Sequence, residues 1–355
     1  MNRWSFNREF LKEKIKEGNL ALQATDKNSE VYRSAQAMVI EFEDFLGREE
    51  LPITIKKKNL EEMLNYLNHS LNINLNIIRM DDWEKIKELC KYAPKLKFKK
   101  YNSSFLPKDN DYVIKEILNF YKMTDRKTYE AVLNIIKHEY SLINIKSESD
   151  RPKNDLNFCC SYLSLPFVNV STKNDLRYVI LAHELRHAAD YYLYHNQKNA
   201  ILNELSAIYS EILFTDYISK YSSLNKSFYL YNERVNNIGI KMKFLFYYIE
   251  IFEEFDKCGR KLTARNYKDV LGVNTEKEFE KRANILLKEK YMSFYDYVMS
   301  MLYALQLREE YYNGNKKVND KIEQILLGDE IDFDVNILED KFIKHAKYVY
   351  SLSHK

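Results

Sequence analysis

Apolar residues recur at three- and four-residue spacing along most of the chain, and that period predicts a mainly α-helical protein. The stretches 29–48, 57–71, 81–92, 111–123 and 126–145 read as amphipathic helices, divided by short breaks at LPIT, YAPK and LPKDND. One segment departs from the period. LNFCCSYLSLPFVNVS (156–171) is β-branched and aromatic with Pro166 inside it, which predicts one or two short strands, at least one at a sheet edge. The polar run KSESDRPKND (146–155) is the predicted boundary between a helical N-terminal region, 1–150, and a second region, 151–355, the two packed as one continuous unit. From Asn174 the helical period resumes, with breaks near 196–199, 221–226, 258–264, 271–275, 313–317 and 328–336. Gly259, Gly272, Gly314 and Gly328 fall at these breaks, where helix stops belong.

Composition narrows the reading. With 7 glycines and 5 prolines in 355 residues, turn material is scarce, and 45% hydrophobic residues supply a large core. The net charge of +3 is close to balance. The basic runs IKKK (55–58) and KLKFKK (95–100) come without a nucleic-acid-binding motif and read as solvated faces, so no nucleic-acid partner is expected. No stretch reaches the ~18 uninterrupted apolar residues of a membrane span. The first twenty residues carry charges throughout and lack the apolar core of a signal peptide. Cys90, Cys159, Cys160 and Cys258 show no CxxC spacing, which fits reduced thiols and a cytoplasmic location.

Chemistry concentrates in AHELRHAAD, residues 182–190. On a helix at ~100° per residue, His183 and His187 stack one turn apart on one face, the spacing that lets two imidazoles reach a single Zn²⁺. Glu184 lies ~100° round from His183, beside the ion and off the ligand line, where a base would hold a metal-bound water. A plausible turn at HNQKN (195–199) leads into a second helix, AILNELSAIYSEILFTDYI. Folded back as an antiparallel hairpin, this helix brings Glu204 level with His187 as third ligand, and Glu211 two turns further on the same face. Glu211 and Asp190 read as outer partners of the ligand histidines. Three protein ligands leave Zn²⁺ one open position for water, whose pKa drops to about 7, and Glu184 then activates that water against a peptide carbonyl.

With those residues assembled, FCCSYLSLPFVNVSTKNDLRYVILAHELRH resembles the zinc metallopeptidase family of thimet oligopeptidase and oligoendopeptidase F, a gluzincin family. ELSAIYSE reproduces the spacing of that family's ligand glutamate and its second glutamate, at Glu204 and Glu211. EKYMSFYDYVMS (289–300) is similar to its tyrosine-bearing helix and puts Tyr291 and Tyr297 on the positions that hydrogen-bond the transition state. The resemblance implies a multi-helix metallopeptidase fold with a small β element just before the HExxH helix, one Zn²⁺, and hydrolysis of oligopeptides. Three departures stand out: Arg186 replaces the motif's glycine, Glu289 stands where the family has histidine, and the N-terminal part is shortened. Arg186 is expected to pair with Glu204, Glu211 or a substrate carboxylate, or to narrow the cleft. Two rival readings share the motif: a catalytically impaired peptide-binding or regulatory protein that retains the zinc hairpin, and a protease specific for one protein substrate.

Overall fold

The computed structural model describes residues 8–27, 29–47, 59–77, 87, 109–138, 142–145, 158–162, 165–170, 176–194, 204–221, 227–288, 291–329 and 344. The elements in chain order are α1 (Arg8–Ala24), α2 (Glu30–Gly47), α3 (Leu60–Ile77), α4 (Asn110–Thr124), α5 (Arg126–Lys137), β1 (Ile143–Ile145), β2 (Phe158–Tyr162) and β3 (Leu165–Val170), followed by α6 (Leu176–Tyr194), α7 (Leu205–Tyr221), α8 (Ser227–Lys257), α9 (Tyr267–Leu271), α10 (Glu276–Lys288), α11 (Tyr291–Tyr312) and α12 (Val318–Leu327). The protein is mainly α, with one small sheet ahead of the HExxH helix α6. None of the described helices is long and apolar enough to cross a membrane.

Two compact units divide the chain. The first comprises Met1–Pro52, Tyr101–Leu230 and Leu307–Glu330; the second comprises Ile53–Lys100, Tyr231–Gln306 and Ile331–Lys355.

In the first unit the sheet has the order β1-β3-β2. β2 and β3 form an antiparallel hairpin, whereas β1 pairs with β3 in parallel over Val168, Asn169 and Val170. The helix expected over 126–145 therefore stops early. α5 ends at Lys137, His138 leaves the helical region (φ −56, ψ 142), and Ile143–Ile145 is a strand. The physical reason is local: Ile143 and Ile145 are β-branched, both are buried, and their backbone completes the third rung of the sheet. Pro166 sits in the central strand without breaking it; among the described residues, β1 pairs with β3 from Val168 on. Val168 N–H donates to the Leu142 carbonyl at 2.9 Å on the β1 side, so the like-facing N–H that Pro166 lacks is not one the β2 ladder uses. Asn144 Nδ2 donates to Asn169 Oδ1 across the parallel pair, satisfying two buried amides.

Around the sheet, α1 and α2 pack on each other and bring Phe10 and Phe42 onto Phe167 of β3; the Phe42 and Phe167 rings meet edge-on at 4.7 Å. α6 packs against β3, β2, α5 and α7. Its residues 181–190 are buried on every side, so α6 is a core helix rather than an amphipathic surface one. Alanines at 182, 188, 189 and 207 let the α6 and α7 backbones approach closely. α7 is clamped near its other end, where Arg308 grips Asp216 with two donors at 2.7 and 3.1 Å.

In the second unit, α3 packs on α10, and the Asn68 side chain brackets Leu262, accepting from its N–H at 2.6 Å and donating to its carbonyl at 3.0 Å. Gly259 and Gly272 of this unit, like Gly314 and Gly328 of the first, have positive φ, as helix stops built on glycine require. The helix expected at 81–92 lies outside the described residues, apart from Lys87.

Candidate metal centre

His183 and His187 project from adjacent turns of α6, in the middle of its buried span. Glu204 lies one residue before α7, and its carbonyl accepts the first helical hydrogen bond, from Ile208 N–H at 2.9 Å. Glu204 is thus the N-cap of α7, where a carboxylate is favoured by the helix dipole. The turn expected at 195–199 lies outside the described residues.

These three residues form a group able to hold a metal ion. His183 Nε2 and His187 Nε2 are 3.2 Å apart, Glu204 Oε2 is 3.2 Å from the first, and the same oxygen is 3.6 Å from the second. Donor atoms around a tetrahedral ion with bonds of ~2.0–2.1 Å sit roughly 3.3–3.4 Å apart. The three measured edges bracket that value. Glu204 Oε2 is moreover buried and, among the described residues, accepts no hydrogen bond, an expensive arrangement for a carboxylate without a cation. The donor set fits a divalent cation.

The protein's own charges are already biased toward that use. Burial opposes a charge on His183, yet the Glu211 and Glu204 carboxylates outweigh it and push the imidazole up to about 10. Burial likewise opposes ionisation of Glu204, and the two histidines overcome it, holding that carboxyl well below its ordinary range. Glu184, next along α6, is also buried. Desolvation raises its carboxyl above the usual value despite the pull of His183 and His187, the direction a general base needs. Glu211 Oε2 stands 3.6 Å from His183 Nδ1, so its charge favours hydrogen on Nδ1 and leaves Nε2 as the nitrogen whose proton an incoming cation would displace. Cys159 of β2 lies in the field of Glu184, and its thiol is raised far above the ordinary value, first by burial and then by that carboxylate.

Arg186 and Asp190 are engaged elsewhere than expected. The guanidinium is 3% exposed and points away from the donor set. Its Nε donates to Asp190 Oδ1 at 3.0 Å, and Nη1 donates to Asp125 Oδ2 and to Thr128 Oγ1, each at 2.8 Å. Asp190 spends its second oxygen on the hydroxyl of Ser206, two residues past Glu204. Arg186 thus pairs with neither Glu204 nor Glu211; it ties α6 to the N-terminus of α5, while Asp190 ties α6 to the N-terminus of α7. Tyr121 of α4 adds a third tie, its hydroxyl donating to the Ala182 carbonyl at 2.8 Å. Sequence reasoning missed Asp125, Thr128, Ser206 and Tyr121. The stretch Asp125–Thr128 is legible as an N-cap, with Asp125 accepting from Thr128 N–H at 3.2 Å, but nothing in the sequence points from it to Arg186.

Tyr297 belongs to the second unit, on α11, with Lys241 Nζ over its ring at 2.8 Å from the centroid. Tyr291 begins α11, but its side chain lies outside the described residues, as does Glu289.

Comparison with known proteins adds little to this geometry. No protein-family model matches the chain, and no curated protein does. Among solved structures, the chain is similar to "Crystal structure of putative peptidase from Chlamydophila abortus", at 12% identity and a TM-score of 0.46. That match covers 98% of this chain and 60% of the other, so this chain spans less than two thirds of that protein's matched chain.

Proposed function

We propose that this protein is a zinc-dependent metallopeptidase acting on oligopeptides, with His183, His187 and Glu204 as ligands and Glu184 as general base. The observation that carries the reading is the convergence of three donor atoms from two helices on one point, edges 3.2, 3.2 and 3.6 Å, with a buried glutamate as the next residue on the same helix. A zinc ion held there supplies Lewis acidity, making water more acidic and polarising a peptide carbonyl. Glu184 takes the proton of the attacking water and hands it to the leaving amine, a transfer worth ~10²–10⁴-fold. Glu211 keeps His183 in the ligating tautomer. Tyr297, and Tyr291 with it, supply donors to the oxyanion, roles that rest on the resemblance of their segment.

The non-enzymatic alternative loses one of its two motives, because the Arg186 guanidinium is consumed by Asp125, Thr128 and Asp190 rather than set across the ligands. A panel of internally quenched peptides tests the proposal. Hydrolysis should be abolished by a chelator, restored by zinc, and reduced ~10²–10⁴-fold in Glu184→Gln with metal content unchanged. Glu204→Ala should lose the metal as well. A protein that carries zinc yet cleaves nothing across the panel, or whose Glu184→Gln variant cleaves at the wild-type rate, would end the peptidase reading. Cleavage of one folded protein and of no peptide would instead select the substrate-specific protease.

A further inference from the structure

The second unit contains a cavity of about 580 Å³ between α8 and α10, closed at one side by the Gly272–Asn274 turn. That volume falls within the ~300–1,000 Å³ of sites that bury small molecules. Its wall is aromatic and open to solvent: Phe244 is 37% exposed and Tyr247 42%. Among the described residues three cations line it, Lys243, Lys281 and Arg282, against one carboxylate, Glu278. Glu278 is committed elsewhere. Its Oε2 accepts the N–H groups of Asn274 and Thr275 at 2.8 and 3.2 Å while Thr275 Oγ1 accepts the Glu278 N–H at 3.2 Å, the reciprocal cap of α10. Lys243 and Lys281, by contrast, make no ion pair among the described residues, so the cavity keeps an excess of positive charge.

Arg282 is held in place before any ligand arrives. Nη1 donates to the Leu271 carbonyl at 2.6 Å, at the C-terminus of α9, where Gly272 takes φ +59. The guanidinium carbon lies over the Tyr247 ring, 5.9 Å from its centroid, and the group has further N–H donors besides the one given to Leu271. A flat ring slid against Tyr247 and Phe244 would put an attached anion within the field of all three cations. A neutral apolar ligand would leave those charges unused, and a bare anion would leave the aromatic wall wet.

We propose that this cavity is a binding site for a small aromatic molecule bearing a phosphate or carboxylate group, independent of the metal centre and of the proposed peptidase activity. Calorimetric titration of the full-length protein with 1-naphthyl phosphate tests it, with 1-naphthoate, neutral 1-naphthol and inorganic phosphate as comparisons. Saturable binding of one naphthyl anion per chain is expected, roughly tenfold tighter than the neutral ring or phosphate alone. The stronger of the two naphthyl anions identifies the anionic group. Tyr247→Ala and Lys281→Glu, both at exposed positions, should each weaken binding roughly tenfold with an unchanged circular dichroism spectrum. Absence of saturable binding, equal affinity for 1-naphthol, or affinity untouched by both substitutions would overturn the proposal.

Discussion

Replacing Arg186 with methionine isolates the network behind the metal helix. The substitution keeps an unbranched apolar stem, is compatible with a helix, and removes the guanidinium from two carboxylates. Asp190 is fully buried and Asp125 only 12% exposed, so the first cannot turn to bulk water and the second is poorly hydrated. Breaking one buried pair by deleting a partner costs about 3–5 kcal/mol. Two carboxylates lose their cation here, but Asp125 keeps the N–H and hydroxyl of Thr128, and Asp190 keeps Ser206. The loss should therefore be about 3–5 kcal/mol near neutral pH, a large part of the ~5–15 kcal/mol of a typical domain. The pH dependence fixes the cause. In the native protein burial opposes the Asp125 charge, but Arg186 and the Thr128 bonds outweigh it and lower that carboxyl, so its contribution is present above the unfolded pKa and fades as acid approaches the depressed value. Asp190 is already raised by burial against the pull of Arg186 and would rise further without it. In the variant Asp190 is raised further and Asp125 loses the cation that lowered it, so the folded variant holds more protons than the native protein does and the penalty shrinks as pH falls. Urea unfolding followed by far-ultraviolet circular dichroism, with chelator present throughout, should show a penalty that shrinks as pH falls from neutrality. Adding Asp190→Asn to Arg186→Met should recover part of the loss, a non-additivity expected of contacting residues. A penalty below about 1 kcal/mol at neutral pH, or one that deepens on acidification, would refute the reasoning.

Three further outcomes follow from named contacts. Glu211→Gln should weaken zinc binding ~10–100-fold in competition with a chromophoric chelator, and an unchanged affinity would remove Glu211 from the site's support. Gly18→Ala should lower the thermal midpoint: a Cβ there would lie 2.5 Å from Val39 Cγ2 and 2.7 Å from Met38 Cε, and overpacking of ~1–3 kcal/mol exceeds the ~1 kcal/mol of helix propensity gained. A raised midpoint would show that α1 and α2 part without cost. Tyr121→Phe should cost about 1 kcal/mol in urea unfolding through the lost bond to Ala182, and a neutral result would show that this hydroxyl contributes nothing to the tie between α4 and α6.

What the sequence made legible was local. The HExxH register needed only the helical period, and Glu204 and Glu211 needed only the assumption that the next helix returns alongside, which α6 and α7 do. The glycine stops were readable because positive φ is a property of one residue. Long-range pairing was not. Ile143 and Ile145 continue a helical pattern when read alone, and only β3, more than twenty residues on, turns them into a strand. Pro166 suggests an edge, yet its strand is central because β1 pairs along its other side from Val168 on. Arg186 gave the same difficulty in another form. It is expected to reach across to Glu204 or Glu211 of the returning helix, whereas it pairs with Asp190 one turn on and with Asp125, 61 residues earlier, which meets it only because α5 packs on α6.

The placement of Glu204 at the head of α7 has a consequence for motion. All three candidate donors belong to a single helical hairpin, so a bound ion would work chiefly against the separation of α6 from α7, an opening smaller than global unfolding. Saturating cation would slow amide exchange first in those two segments, by the mass-action factor of its concentration over its dissociation constant. The hairpin would behave as a latch whose escape rate is set by the supply of metal around it.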